Sequence, residues 1–376
     1  MRVLITKEKL RNFLEIVDKI TAKKSDLSIL NFFQFQTEKD KVIISTTDLE
    51  ISYQAELSAK VEVEGKVLIP AKPFFAVLNS FNEEMIKLEQ NNSTLVIQGE
   101  NSITSLPGLS NEDYPLIPKF SQDYIFEINN QVFEEALKKI SACLKTADIF
   151  KPELAGVYFW LKNDVVKLVT TDTIRLAEIS INSRLFSSNF NEKRVLIPKK
   201  VIEEYLAIKN KPEELKIYFE PSQITFDLIS QYLLSKLAVI EYPNYQQVIP
   251  EMFSLSLYIN KQELENQLRL NRVFLDQQKE LQLTFKARDN KLEFYSKNEL
   301  IGETRGQIKT EVINSNLPEL EDYSISFNFD FFKDGIDAID AEKIFFGLNF
   351  TDSTTTKPAV IKSPLEEDFI YILMPL

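Results

Sequence analysis

The residues best suited by type to acid–base chemistry are two pairs of adjacent acids, Glu203-Glu204 and Glu366-Glu367. Two carboxyl groups can cleave a bond when they face each other across it. Neighbouring acids on a helix diverge instead and point to solvent. The usual catalytic partners are also missing. The chain has no histidine, which excludes Ser-His-Asp and Cys-His pairs, a histidine base and histidine-ligated zinc or haem. One cysteine, Cys143, allows neither an internal disulfide nor a cysteine-rich metal site. With 8 glycines there is no GxGxxG and no GxxxxGK[ST] phosphate loop. The expectation is a protein without catalysis, metal or cofactor.

If the chain does no chemistry, its side chains must serve binding, and the elements that carry them matter more. The chain has 376 residues and a net charge of −12, so its surface as a whole does not attract nucleic acid. No apolar run approaches the roughly 18 residues of a membrane span. Met1-Arg2-Val3-Leu4-Ile5-Thr6-Lys7 turns charged at once, unlike a signal peptide. With a lone cysteine, this predicts a cytoplasmic protein.

The chain repeats itself at about one third of its length. Val67-Leu68-Ile69-Pro70 returns as Val195-Leu196-Ile197-Pro198, and Thr46-Thr47-Asp48 returns as Thr170-Thr171-Asp172. Residues 33–48, 157–172 and 283–298 align without gaps, each as an apolar strand, a charged turn and a second apolar strand. Tyr114-Pro115 and Tyr242-Pro243 interrupt the pattern as connectors do. Three domains are expected, at 1–119, 120–250 and 251–376. Each third offers two helices. One follows its opening strand, with Leu10, Phe13, Leu14, Val17 and Ile20 at helical spacing in the first copy. The other follows Pro70, Pro198 or Asn328, and in the third copy Gly335 blemishes it. The rest reads as about eight short strands per copy. The predicted class is α+β, with three copies of a two-helix plus antiparallel-sheet domain.

Charge divides by element. The six predicted helical segments carry a net +5 and leave −17 on the remainder. An acidic protein with basic helices can hold a polyanion on one face and repel it elsewhere. The last segment, 330–343, is acidic at −3 and breaks the uniformity.

Four motifs in order carry a resemblance over the whole chain. Ile69-Pro70-Ala71-Lys72-Pro73-Phe74-Phe75 looks like the second helix of the bacterial β sliding clamp family. Thr171-Asp172-Thr173-Ile174-Arg175-Leu176-Ala177 resembles its TDxxRLA motif. Tyr242-Pro243-Asn244-Tyr245-Gln246-Gln247-Val248-Ile249-Pro250 resembles its FPDYxxVxP connector, and Tyr371-Ile372-Leu373-Met374-Pro375-Leu376 its Tyr-x-x-Met-Pro ending. The resemblance implies a DNA clamp fold and a head-to-tail homodimer closing into a six-domain ring around double-stranded DNA. It implies sequence-independent DNA contact and partners that include the replicative polymerase and the clamp loader.

The same resemblance assigns residues. Lys24, Lys72, Lys199 and Lys200 are its DNA-channel candidates. A partner-peptide pocket would use Leu154, Thr171, Thr173, Arg175, Leu176, Pro243, Val248, Pro358, Ile372, Met374 and Pro375. Ile103, Val273 and Phe274 would lie at the dimer interface. Thr173-Ile174 replaces the family's usual Gly-His, and Asn244 and Gln247 replace Asp and Arg, so a shifted peptide preference is expected. The rival expectation is a three-repeat β-rich scaffold that does not bind DNA.

Overall fold

A computed structural model describes residues 1–21, 27–110, 113–151, 154–237, 242–318, 321–350, 357–365 and 368–376, with backbone only at 148–150. Among the described residues it contains seven α-helices: α1 Lys7–Ile20, α2 Ala71–Ser80, α3 Asn130–Ile140, α4 Leu144–Phe150, α5 Lys199–Ala207, α6 Lys261–Val273 and α7 Phe329–Asp337. Six match the predicted helices. The seventh, α4, follows α3 through the 3-10 turn Ser141–Cys143. The described strands number twenty-seven, nine in each third, so the repeat is structural as well as sequential.

Alternation within strands makes the sheets. Arg2–Thr6 buries Val3 and Ile5 alone, and Phe32–Glu38 buries Phe33, Phe35 and Thr37. Helix α1 buries Leu10, Leu14, Val17 and Ile20 along one stripe. The third copy starts its helices with side-chain caps. Asn260 accepts from the Glu263 amide at 3.0 Å, and Asn328 accepts from those of Asp330 and Phe331 at 3.0 and 3.2 Å.

The strands form sheets of five, nine, nine and four. By contacts the chain divides into two compact units, one of residues 1–133, 184–191 and 197–239, the other of 134–183, 192–196 and 240–376. These units differ from sequence thirds because the large sheets cross the repeat boundaries. In the first unit, Gln231–Lys236 of the middle third pairs with Ile51–Ser58 of the first. In the second, Arg175–Asn182 of the middle third pairs with Phe369–Leu373 of the last, Leu176 opposite Ile372.

Among the described residues, each unit has a sheet edge without a further strand partner. Ile103–Pro107 ends the five-stranded sheet, and Gly302–Lys309 ends the four-stranded one. No described helix is long and apolar enough to cross a membrane.

Candidate functional site

The Thr-Thr-Asp repeat is a turn built from its own side chains. Asp172 Oδ1 accepts from the Ile174 and Arg175 amides at 3.1 and 3.0 Å. Thr171 Oγ1 donates to the Arg175 carbonyl at 2.8 Å and accepts from the Thr173 amide at 3.0 Å. The first copy repeats this: Asp48 holds the Glu50 and Ile51 amides, and Thr47 Oγ1 bonds the Ile51 carbonyl and the Leu49 amide. Both turns put their middle residue in the left-handed region, Leu49 and Thr173 each at φ 76°. A β-branched threonine is strained there, by roughly 1–2 kcal/mol. Glycine removes the strain but gains entropy in the unfolded chain. Thr173→Gly is therefore expected to stabilise the fold by about 0.5–1 kcal/mol. An unchanged or lower denaturant midpoint would show that the turn carries no such strain.

Arg175 leaves this turn and points inward. Its Nε donates to Asp172 Oδ2 at 2.9 Å, Nη1 to Asp334 Oδ2 at 2.6 Å, and Nη2 to the Ala142 carbonyl at 2.9 Å. Its guanidinium lies 4.1 Å from the centre of the Phe331 ring. Thr146 Oγ1 donates to Asp172 Oδ2 at 2.5 Å, and Lys145 Nζ stands 3.5 Å from Asp334. The Tyr371 hydroxyl, 3.4 Å from Nη1, donates to the Phe331 carbonyl at 2.8 Å. Arg175, assigned to the peptide pocket by resemblance, is buried, and its donors are engaged by Asp172, Asp334 and Ala142 inside the protein. Its donors are turned into the protein because the turn ends with Arg175 on the buried face of its strand. Burial also pushes the nearby Cys143 thiol up to about 12, which leaves it inert.

The remaining pocket candidates divide by exposure. Leu176 and Ile372 are buried with Val169 and Tyr245 in one apolar cluster, edged by Tyr158, Trp160, Tyr242, Ile249 and Ile370. The Met374 amide donates to the Ile174 carbonyl at 2.9 Å, which lays the chain end beside the turn. Pro358 precedes Ala359, which pairs with Leu373. Thr173, Pro243 and Val248 are exposed, and Pro358, Met374 and Pro375 half-buried. Thr171 and Leu154 are buried, and Leu154 is not a member of the cluster. Leu176 and Ile372 are thus the two members of the set that share the buried apolar cluster, and six other members are exposed or half-buried.

Sequence reasoning missed the aromatic flank. A cavity of about 580 Å³ is lined by Tyr158, Trp160, Arg194 and the connector from Tyr242 to Gln246. Of the predicted residues only Pro243 lines it. A weak signal was present: Tyr158 and Trp160 alternate on one strand, and the connector is Tyr-Pro-Asn-Tyr.

The lysine candidates have different neighbours. Lys24 lies outside the described residues. Lys72 is exposed in the first turn of α2. Lys199 is 19% exposed and 4.0 Å from Glu203. Lys200 forms an ion pair with Asp48 of the first turn. Of the interface candidates, Ile103 is 70% exposed on the free edge of its sheet and Val273 is 62% exposed at the end of α6. Phe274 is half-buried near Gly302.

Known proteins place this arrangement. Residues 1–118 match the family described as DNA polymerase III beta subunit, N-terminal domain; 127–244 match its central domain and 246–376 its C-terminal domain. The beta sliding clamp of Staphylococcus epidermidis is 25% identical over 394 residues, covering 100% of this chain and 99% of that one. The DNA polymerase III beta subunit of Thermotoga maritima superposes with a TM-score of 0.87 at 24% identity, covering 100% and 99%. The DNA polymerase sliding clamp of Bacillus subtilis does so at 0.90 and 19%, with the same coverage. Three domain matches in order, over almost every residue, show that the chain belongs to the DNA polymerase III beta subunit family.

Proposed function

We propose that this chain is a DNA sliding clamp, a non-catalytic processivity factor that encircles duplex DNA and tethers the replicative polymerase. The observation that carries this reading is the threefold repeat matched in order by the three clamp domains. The domains are taken as 1–119, 120–250 and 251–376, and the compartment as the cytoplasm.

Two copies would close head to tail into a ring. An open sheet edge exposes unpaired amides and carbonyls, and a closed ring removes such edges. The edge strand Ile103–Pro107 has exposed Ile103, and exposed Ile301 immediately precedes the edge strand Gly302–Lys309. Val273 and Phe274 would join the second edge in the interface. Lys24, Lys72, Lys199 and Lys200 would meet phosphates, which binds without reading sequence and weakens with salt. The Asp48 partner of Lys200 moderates that attraction, and a sliding protein needs loose contacts.

Short apolar segments of the polymerase, clamp loader and other proteins would dock over Leu176 and Ile372. The rim would come from Thr173, Pro243, Val248, Pro358, Met374 and Pro375, with Leu154 and Thr171 supporting it. Methionine suits a site that accepts several ligands.

Loading onto nicked circular DNA tests the ring. The protein should remain on the circle through gel filtration and be lost once the circle is cut. Loss from both forms, or retention on both, would overturn the topological reading, and loss from both would favour the scaffold.

A further inference from the structure

We infer that the cavity beside the connector is an acid-recognition subsite, in which Arg194 over Trp160 receives a carboxylate of the docked partner segment. The inference rests on the docking reading above and extends it to a second contact.

The strand Gly156–Lys162 directs Tyr158 and Trp160 to the same face. Tyr242 of the connector stacks on Tyr158, with ring centres 4.1 Å apart and planes 4° from parallel. Tyr245 meets Trp160 edge to face at 6.4 Å. These rings wall the 580 Å³ cavity, and among the described residues lining it Arg194 is the one that is charged. Its guanidinium carbon lies 5.2 Å from the Trp160 ring centre, a cation stacked on an aromatic face.

Three observations point to an anionic occupant. First, the Arg194 side chain is 55% exposed, and among the described residues its one ion pair is a 3.0 Å contact to Glu192, itself 61% exposed. Such an exposed pair contributes little and yields readily to a better partner. Second, Asn244 and Gln246 on the rim are exposed and add amide donors. Third, the cation stands on the open face of an otherwise aromatic wall, so its charge is directed at the cavity. The buried Glu178 carboxylate nearby is already neutralised by Lys167 at 2.6 Å, so it does not repel an incoming acid strongly.

Continuity with the docking groove selects the source of the acid. Tyr245 lines this cavity and also belongs to the cluster of Leu176 and Ile372. A segment anchored by apolar side chains on that cluster reaches the cavity with the residues flanking its anchor.

The chain has one tryptophan, Trp160, so its fluorescence reports the cavity directly. The probes are short labelled peptides with two adjacent apolar anchor residues, carrying Asp or Asn at each flanking position in turn, bound to the full-length protein. At one position Asp should bind about fivefold more tightly than Asn, with a change in Trp160 emission. Arg194→Gln should abolish that preference and leave the Asn peptide unaffected. Equal binding of Asp and Asn at every position, or a preference that survives Arg194→Gln, overturns the subsite. Met374→Ala should weaken both peptides equally. If it weakens neither, the docking reading itself fails, and the subsite with it.

Discussion

Replacing Arg175 with alanine should cost the fold about 3–5 kcal/mol, because it strands the buried Asp172 carboxylate without its counter-charge. The Asp172 side chain has no exposure, and Asp334 retains only Lys145 at 3.5 Å. The Phe331 ring loses its cation, and the Ala142 carbonyl loses its donor. Arg175→Lys should recover little, since an ammonium cannot serve Asp172, Asp334 and Ala142 with one rigid fork. Arg175→Ala with Asp172→Asn should be less damaging than Arg175→Ala alone, because the buried charge is gone. Denaturant midpoints would measure all three. A loss below about 1 kcal/mol for the alanine variant would show that the network is solvated and dispensable. Because Asp172 and Arg175 set the turn whose Ile174 carbonyl holds Met374, peptide docking should weaken with stability.

Gly335→Val should be the next most damaging change, at about 2–3 kcal/mol. A β-carbon at this position would lie 2.5 Å from Tyr371 Cδ1 and 2.6 Å from Cε1. The ring cannot step aside, because Tyr371 is fully buried and its hydroxyl is bonded to the Phe331 carbonyl. Gly335→Ala sets two effects against each other. Alanine favours a helix over glycine by about 1 kcal/mol. Overpacking a tight contact costs about 1–3 kcal/mol, so the steric effect wins and a net loss is expected. Thermal unfolding would read the sign. A stabilised alanine variant would mean that α7 and the last strand can separate at little cost.

Gly335 shows how the sequence and the structure divide the explanation. As sequence it weakens a helix pattern. In the fold it is the only residue small enough to let α7 lie on Tyr371. Arg175 is similar. Its place in a Thr-Asp-x-x-Arg motif marks it, but the motif gives no direction to its side chain. Asp334 lies 159 residues away and Tyr371 196 away, so pairing depends on which strand joins which sheet. Sheet order also shapes the division of the chain. The repeat counts three copies, whereas the contacts form two units, because hydrogen bonding across strands ignores repeat boundaries.

What the sequence determined alone is whatever short-range physics decides. Alternating strands, helical stripes and the Thr-Thr-Asp turns each rest on residues within a few positions of one another, so they are legible and recur in register. The threefold repeat and the four motifs in order also pointed to the family. Tertiary structure decided which side chains meet. It buried Arg175, set Lys200 against Asp48, and joined Trp160 to Tyr242 and Arg194 across gaps that strand pairing closes. Those contacts depend on register and sheet order, and a residue's identity carries neither.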